Sequence, residues 1–315
     1  MFIRRFNLAV KMKLYFLKVL LFILLISVTC VIIELMLRQI PNDYRLKREY
    51  LDVNSDKIEI LFLGGSHALH GLNPVYTKKR SFNAAHNSQS LDYDLEILRK
   101  YRNNWANLQY IVLPISYPSL FERIEDSIEG WRVKNYILYY GIRISKHLAY
   151  YAEITNGILW VHFQRLFDFY FRSIDNIECS ELGWANSYMP GSSEDLFETG
   201  IEAAKRNTIP ADRQYVEEMN LALDSIVHFA DKNGTRILLF TPPAHISYIE
   251  NLNNAQWNKT LLTALGFASE YKNCYYVNML DDKNFTDNDF HDGDHLNTLG
   301  AKKLTMMIDS IINLN

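Results

Sequence analysis

Cysteine is scarce in this chain, with three in 315 residues. One of them, Cys30, lies inside a long apolar run, so only Cys179 and Cys274 could pair, too little to mark a compartment. Surplus charge of one sign is also missing. The formal net charge is -3, and without a basic stripe nucleic acid is not an expected partner. There is no internal repeat and no low-complexity segment. The acidic loop at 281–289 lacks the alternating oxygen ligands and in-register glycine turn of a calcium loop. His291, Asp292, Asp294 and His295 are of metal-ligating types, but no further ligands are identifiable elsewhere, so no metal and no cofactor is expected.

What the chain does have in quantity is apolar length at its amino terminus. Residues 14–37 are long enough to cross a bilayer, where about 20 apolar residues suffice, with Lys18 and Glu34 near the ends. Arg4, Arg5, Lys11 and Lys13 precede the run, which favours a cytoplasmic segment at 1–13, although Arg38, Arg45, Lys47 and Arg48 beyond it weaken the contrast. A cleaved signal peptide shares the basic start and apolar core. No Ala-x-Ala type of site follows, so an uncleaved single-pass anchor in the cell membrane is expected, with the rest of the chain outside the cytoplasm.

Beyond the anchor, about 260 residues suit one large α/β domain at 50–315. Strands are expected at 58–63, 80–83, 109–115, 235–240 and 274–278, and helices at 91–103, 212–232, 255–271 and 298–313. Alternation of this kind implies a parallel sheet with helices on both faces. The stretch from about 119 to 211 is too long for a crossover and is rich in aromatics, among them Tyr136, Tyr140, Trp160, Phe163, Phe167 and Phe171. It reads either as a cap whose rings stack on sugars or as a helical insertion whose aromatics form their own core, the second being expected for most of them. Its polar tail at 190–195 has the composition of a gating loop.

Two short blocks carry the chemistry. Ile58-Glu59-Ile60-Leu61-Phe62-Leu63 runs into Gly64-Gly65-Ser66, which puts Ser66 just past the carboxyl end of a buried strand, where open α/β sheets place ligands. Near the other end of the chain, Asp292-Gly293-Asp294-His295 supplies a histidine with an aspartate three residues before it. A serine hydroxyl becomes a useful nucleophile when an imidazole takes its proton, and a carboxylate fixes the tautomer of that imidazole. Ser66, His295 and Asp292 are therefore the expected catalytic set, Asp294 competing with Asp292 as the orienting carboxylate. Read alone, Ser66 is equally a turn serine capping the next segment.

These blocks resemble those of the SGNH hydrolase superfamily, also called GDSL-like hydrolases, in sequence, order and position. That resemblance implies a three-layer flavodoxin-like fold and acyl-ester chemistry. Laid on Phe82-Asn83-Ala84-Ala85-His86-Asn87-Ser88-Gln89, the family's second block puts Ser88 where a glycine belongs, and a backbone N–H survives that change. The third block, with its asparagine donor, is absent from Tyr110-Ile111-Val112-Leu113-Pro114-Ile115-Ser116-Tyr117-Pro118. Ser88, Asn83, Ser116 and Tyr117 are thus the expected oxyanion or substrate-binding residues. These departures make the chain similar to the membrane-tethered branches, DltD and the alginate O-acetylation proteins. The resemblance implies an acylated small molecule or polysaccharide as substrate and a membrane protein as acyl donor. Esterase and O-acyltransferase both remain open, as does a non-catalytic polymer-binding or assembly factor.

Overall fold

Each expected apolar run becomes a strand in the computed structural model, which describes residues 2–191 and 195–314. These are β1 (Ile60–Phe62), β2 (Ser81–Asn83), β3 (Tyr110–Pro114), β4 (Arg236–Thr241) and β5 (Cys274–Asn278). All pairings are parallel and the order is β2-β1-β3-β4-β5. The main helices are α1 (Phe2–Gln39), α2 (Asp43–Asn54), α3 (Ser66–Gly71), α4 (Leu91–Lys100), α5 (Leu159–Arg172), α6 (Leu196–Arg206), α7 (Val216–Lys232), α8 (Asn254–Glu270) and α9 (Thr298–Leu314).

Strands covered on both faces must be apolar at every position, which is why the central ones read as unbroken hydrophobic runs. Ile60, Phe62, Val112, Leu238 and Phe240 join Ala68 and Leu69 of α3 and Leu304, Ile308 and Ile312 of α9 in one core. The alternate residues Leu61, Ile111, Leu113, Ile237 and Leu239 are equally buried, and α4 packs against α7. Each buried Leu or Ile of α9 contributes about 1.5–3 kcal/mol. Side-chain caps set two helix starts: Asn253 accepts from the N–H groups of Ala255 and Gln256, and Asp195 from those of Phe197 and Glu198.

The α/β unit comprises Asn42–Ser145 and Ile177–Asn315. A second unit groups the chain up to Pro41 with Lys146–Asn176. Its α1 contains an apolar stretch, Lys11–Gln39, of 29 residues, which at a rise of about 1.5 Å per residue exceeds the ~30 Å hydrocarbon core of a bilayer. Leu14, Phe16, Leu20, Phe22 and Leu24 are all exposed along it.

The aromatic insertion divides. Tyr136, Tyr139 and Tyr140 are buried in the α/β unit, with Tyr136 packed edge-on to Tyr44. Trp160, Phe163, Phe167 and Phe171 are exposed, contrary to the expectation that such rings form a core of their own. All three cysteines are free, and Cys179 and Cys274 are buried apart. The expected gating loop lies partly outside the described residues, at 192–194.

Candidate active site

An order of 2-1-3-4-5 reverses direction between β1 and β3, and ligands of doubly wound sheets sit at the carboxyl ends of the strands at that point. Ser66 leaves the sheet there. Gly64, after β1, has φ of 111°, and a Cβ on it would lie 2.8 Å from the Pro114 ring at the end of β3. Only glycine makes this turn without strain. Ser66 then opens α3.

The turn is fastened from below. Gly64 N–H donates to Asp94 Oδ1 at 2.7 Å, and Gln89 Nε2 donates to the same oxygen at 2.6 Å. Tyr136 O–H in turn donates to Gln89 Oε1 at 2.9 Å. Asp94 is buried without a cation beside it, and burial pushes its carboxyl up to about 7.

The histidine comes from a tight loop before α9. Asp292 Oδ1 accepts from the N–H groups of Asp294 and His295, at 3.0 and 2.7 Å. Asn297 closes the loop on the helix, accepting from Leu299 N–H and Gly300 N–H while its amide donates to Asn288 and Phe290 carbonyls. A Cβ on Gly293 would collide with the Gly200 backbone, so α6 fits against this loop only because position 293 is glycine. His295 Nδ1 lies 3.0 Å from each Asp292 oxygen, and its Nε2 lies 2.7 Å from Ser66 Oγ.

Asp294 adds a second carboxylate, with Oδ1 3.3 Å from His295 Nδ1. Asn207 Nδ2 donates to it at 3.2 Å, and Arg206 approaches to 3.8 Å. Burial alone would lower the His295 pKa, but Asp294 and Asp292 outweigh it and hold the imidazole well above its usual 6.5. Burial likewise opposes ionisation of both aspartates, and the His295 charge outweighs it, keeping them below the usual carboxylate value.

Three further rings shape the site. His67 stacks on His295 at 4.9 Å and 16°. Burial, with the His295 charge second, lowers it to about 4, so it is neutral at pH 7. Tyr188 is sandwiched between His70 and His291, 3.9 Å from each. His67, Asp294 and His295 bring ligand atoms within 4.8 Å of one another, and in residue type they are the set that could take a divalent metal.

The cleft has a volume of about 410 Å³ and is lined by Ser66, Ser88, Ser116, Tyr188 and His295, among others. Ser88 has φ of 57°, the left-handed region that favours glycine, as expected of a residue in a glycine position. Ser116 reaches the cleft, and its Oγ lies 3.1 Å from His67 Nδ1. Two expected binding residues do not line it. Asn83 is fully buried, its amide donating to the Ala68 and Leu72 carbonyls and its oxygen accepting from Ala85 N–H. Tyr117 is buried too, its hydroxyl engaged with Thr208 and Asn253 N–H. Asn83 is the last residue of β2, and Tyr117 lies three residues past the end of β3, and both side chains turn into the protein and away from the cleft.

Sequence reasoning passed over Asp94 and Asn207, which carry no motif. His67 follows Ser66 directly, and the first turn of α3 brings both side chains to one opening.

No family model matches the sequence, and no curated protein does. Among solved structures the chain is similar to a provisionally named platelet activating factor from Streptococcus pneumonia, with 14% identity, a TM-score of 0.44 and coverage of 93% of this chain and 98% of that one. It is also similar to a provisionally named acylhydrolase from Bacteroides fragilis, with 11% identity, a TM-score of 0.40 and coverage of 84% and 94%.

Proposed function

We propose that the chain is a membrane-tethered serine acyl-ester enzyme of the cell envelope that handles O-acyl groups on a cell-surface polysaccharide, as esterase or O-acyltransferase. The observation that carries the reading is the line Asp292–His295–Ser66, with 3.0 Å at one end and 2.7 Å at the other. In the proposed reaction Ser66 Oγ attacks the acyl carbonyl while His295 Nε2 takes its proton, and Asp292 holds the ring and its charge. The N–H groups of Ser66 and Ser88 receive the oxyanion. Collapse breaks the ester C–O bond, and His295 returns the proton to the leaving oxygen. Water or a sugar hydroxyl, deprotonated by His295, then attacks the acyl-Ser66 ester and restores the serine.

Transfer is the preferred direction. It is supported by the tethering helix and by the resemblance to tethered O-acetylation systems, in which a membrane protein delivers the acyl group. The test is labelling of the full chain in detergent with a serine-directed fluorophosphonate, followed by offered acyl esters with and without polysaccharide acceptor. Labelling at Ser66 that vanishes in Ser66→Ala and His295→Ala is the expected result. A folded chain that takes no label overturns the enzyme reading in favour of a binding or assembly factor.

A further inference from the structure

Helix α5 is amphipathic in an unusual sense, because its aromatic stripe faces outward. Trp160, Phe163, Phe167 and Phe171 recur at the three- and four-residue spacing that aligns side chains on one face. They are 69, 60, 41 and 78% exposed. Trp160 stacks with Phe163 and Phe167 with Phe171, giving a continuous ribbon of rings. The opposite face is polar and packed: His162 is buried, and Arg165 pairs with the fully buried Glu153 at 2.9 Å. An exposed aromatic ribbon of this size marks a surface that is covered in use.

The same unit points to what covers it. Tyr170 O–H donates to the Met36 carbonyl of α1 at 3.2 Å. Glu34 of α1 accepts from Glu153 N–H and Ile154 N–H, both at 3.0 Å, and from Arg38 Nε at 2.6 Å. Arg38 in turn donates to the Tyr151 carbonyl at 3.0 Å. Residues 151–170 are thus fixed to the carboxyl-terminal end of α1, whose apolar surface from Leu14 to Leu35 is largely uncovered. The ribbon adjoins that surface near the carboxyl-terminal end of α1, and its composition, with Trp at one end and Tyr170 against α1, is that of side chains at the headgroup level.

From this continuity we infer that α5 is an interfacial helix. It lies along the membrane surface where α1 emerges, with Trp160, Phe163, Phe167 and Phe171 among the lipid acyl chains and Arg165 and Asp168 turned to the protein and water. Helices of this kind sink their apolar face about 5–10 Å into the headgroup boundary. The inference rests on α1 crossing the bilayer. On this inference the two helices form one membrane seat, α1 through the bilayer and α5 along it.

The experiment uses the full chain in vesicles of phosphatidylcholine and phosphatidylglycerol. An environment-sensitive nitrobenzoxadiazole probe is attached at Phe171→Cys and, as a water-facing control on α8, at Leu262→Cys, a residue 67% exposed. The unsubstituted chain supplies the blank for the three native cysteines. Nitroxide-bearing lipids should quench the probe at 171 several-fold more than at 262, and aqueous iodide should do the reverse. A chain that floats with vesicles but is quenched by iodide equally at both positions overturns the interfacial helix alone. A chain that does not float overturns the α1 reading and the inference with it. Shielding at 171 that grows with protein concentration and ignores the lipid quencher gives the ribbon to a second copy, which also overturns the inference.

Discussion

Asp94 and Asp294 are both buried carboxylates beside the candidate site, and they titrate in opposite directions. Asp94, under the Ser66 turn, meets only neutral donors, and burial pushes it up to about 7. Asp294, beside His295, is drawn below the usual value because the imidazolium charge outweighs burial. The two halves of the site are therefore held by different physics. The serine half is a piece of backbone geometry, fixed by a glycine turn and neutral hydrogen bonds. The histidine half is an electrostatic cluster whose parts keep one another ionised.

Damage to the histidine half should appear in rate and pH dependence. Asp292→Asn keeps the loop shape but misorients the imidazole, and turnover should fall by about 10³–10⁴. Because the two carboxylates raise the His295 pKa, the free base and hence activity accumulate only as pH climbs above 6.5. Asp294→Asn removes one of those charges. It should cost less turnover and move the acid limb of the pH–rate profile to lower pH, and an unmoved limb would deny Asp294 its part in the cluster.

Damage to the serine half should appear in stability, with the pH–rate profile unchanged in shape. Gly64→Ala forces a side chain into the left-handed region and into the Pro114 ring, and urea denaturation should show a loss of about 2–5 kcal/mol. Asp94 provides a titration of this half. Its folded pKa lies above the unfolded value, so its contribution to stability is full below 3.8 and is lost as pH rises through about 7. Asp94→Asn keeps an acceptor for Gly64 N–H, so thermal melts of the variant should lose this decline between pH 4 and 8. The smallest effect is expected at Ser88→Gly, which relieves a positive φ. Stability should rise by about 1 kcal/mol or less with activity intact, since the N–H remains.

The same division explains what the sequence could disclose. Strands such as Ile237-Leu238-Leu239-Phe240 announce themselves because a sheet buried on both faces admits only apolar residues, and α9 because its inner residues repeat at helical spacing. That Ser66, Asp292 and His295 come together was legible from their spaced pattern. Asp94 and Asn207 were not, because a residue that fastens a turn from another element leaves no local signature. Asn83 and Tyr117 misled because proximity in sequence to a strand end does not say which face a side chain takes. The α5 ribbon misled for a related reason. Periodicity reports that a helix has an apolar face, and whether protein or lipid covers it is decided elsewhere in the fold.

Ser66 and His295 are 229 positions apart, and this separation has a consequence during synthesis. At about 5–20 residues per second, on the order of ten to fifty seconds pass between translation of the serine and translation of the histidine it meets. The hydroxyl meets its imidazole only after β4, β5 and the loop before α9 have joined the first three strands, so that assembling the candidate site and completing the sheet become one event in the life of the molecule.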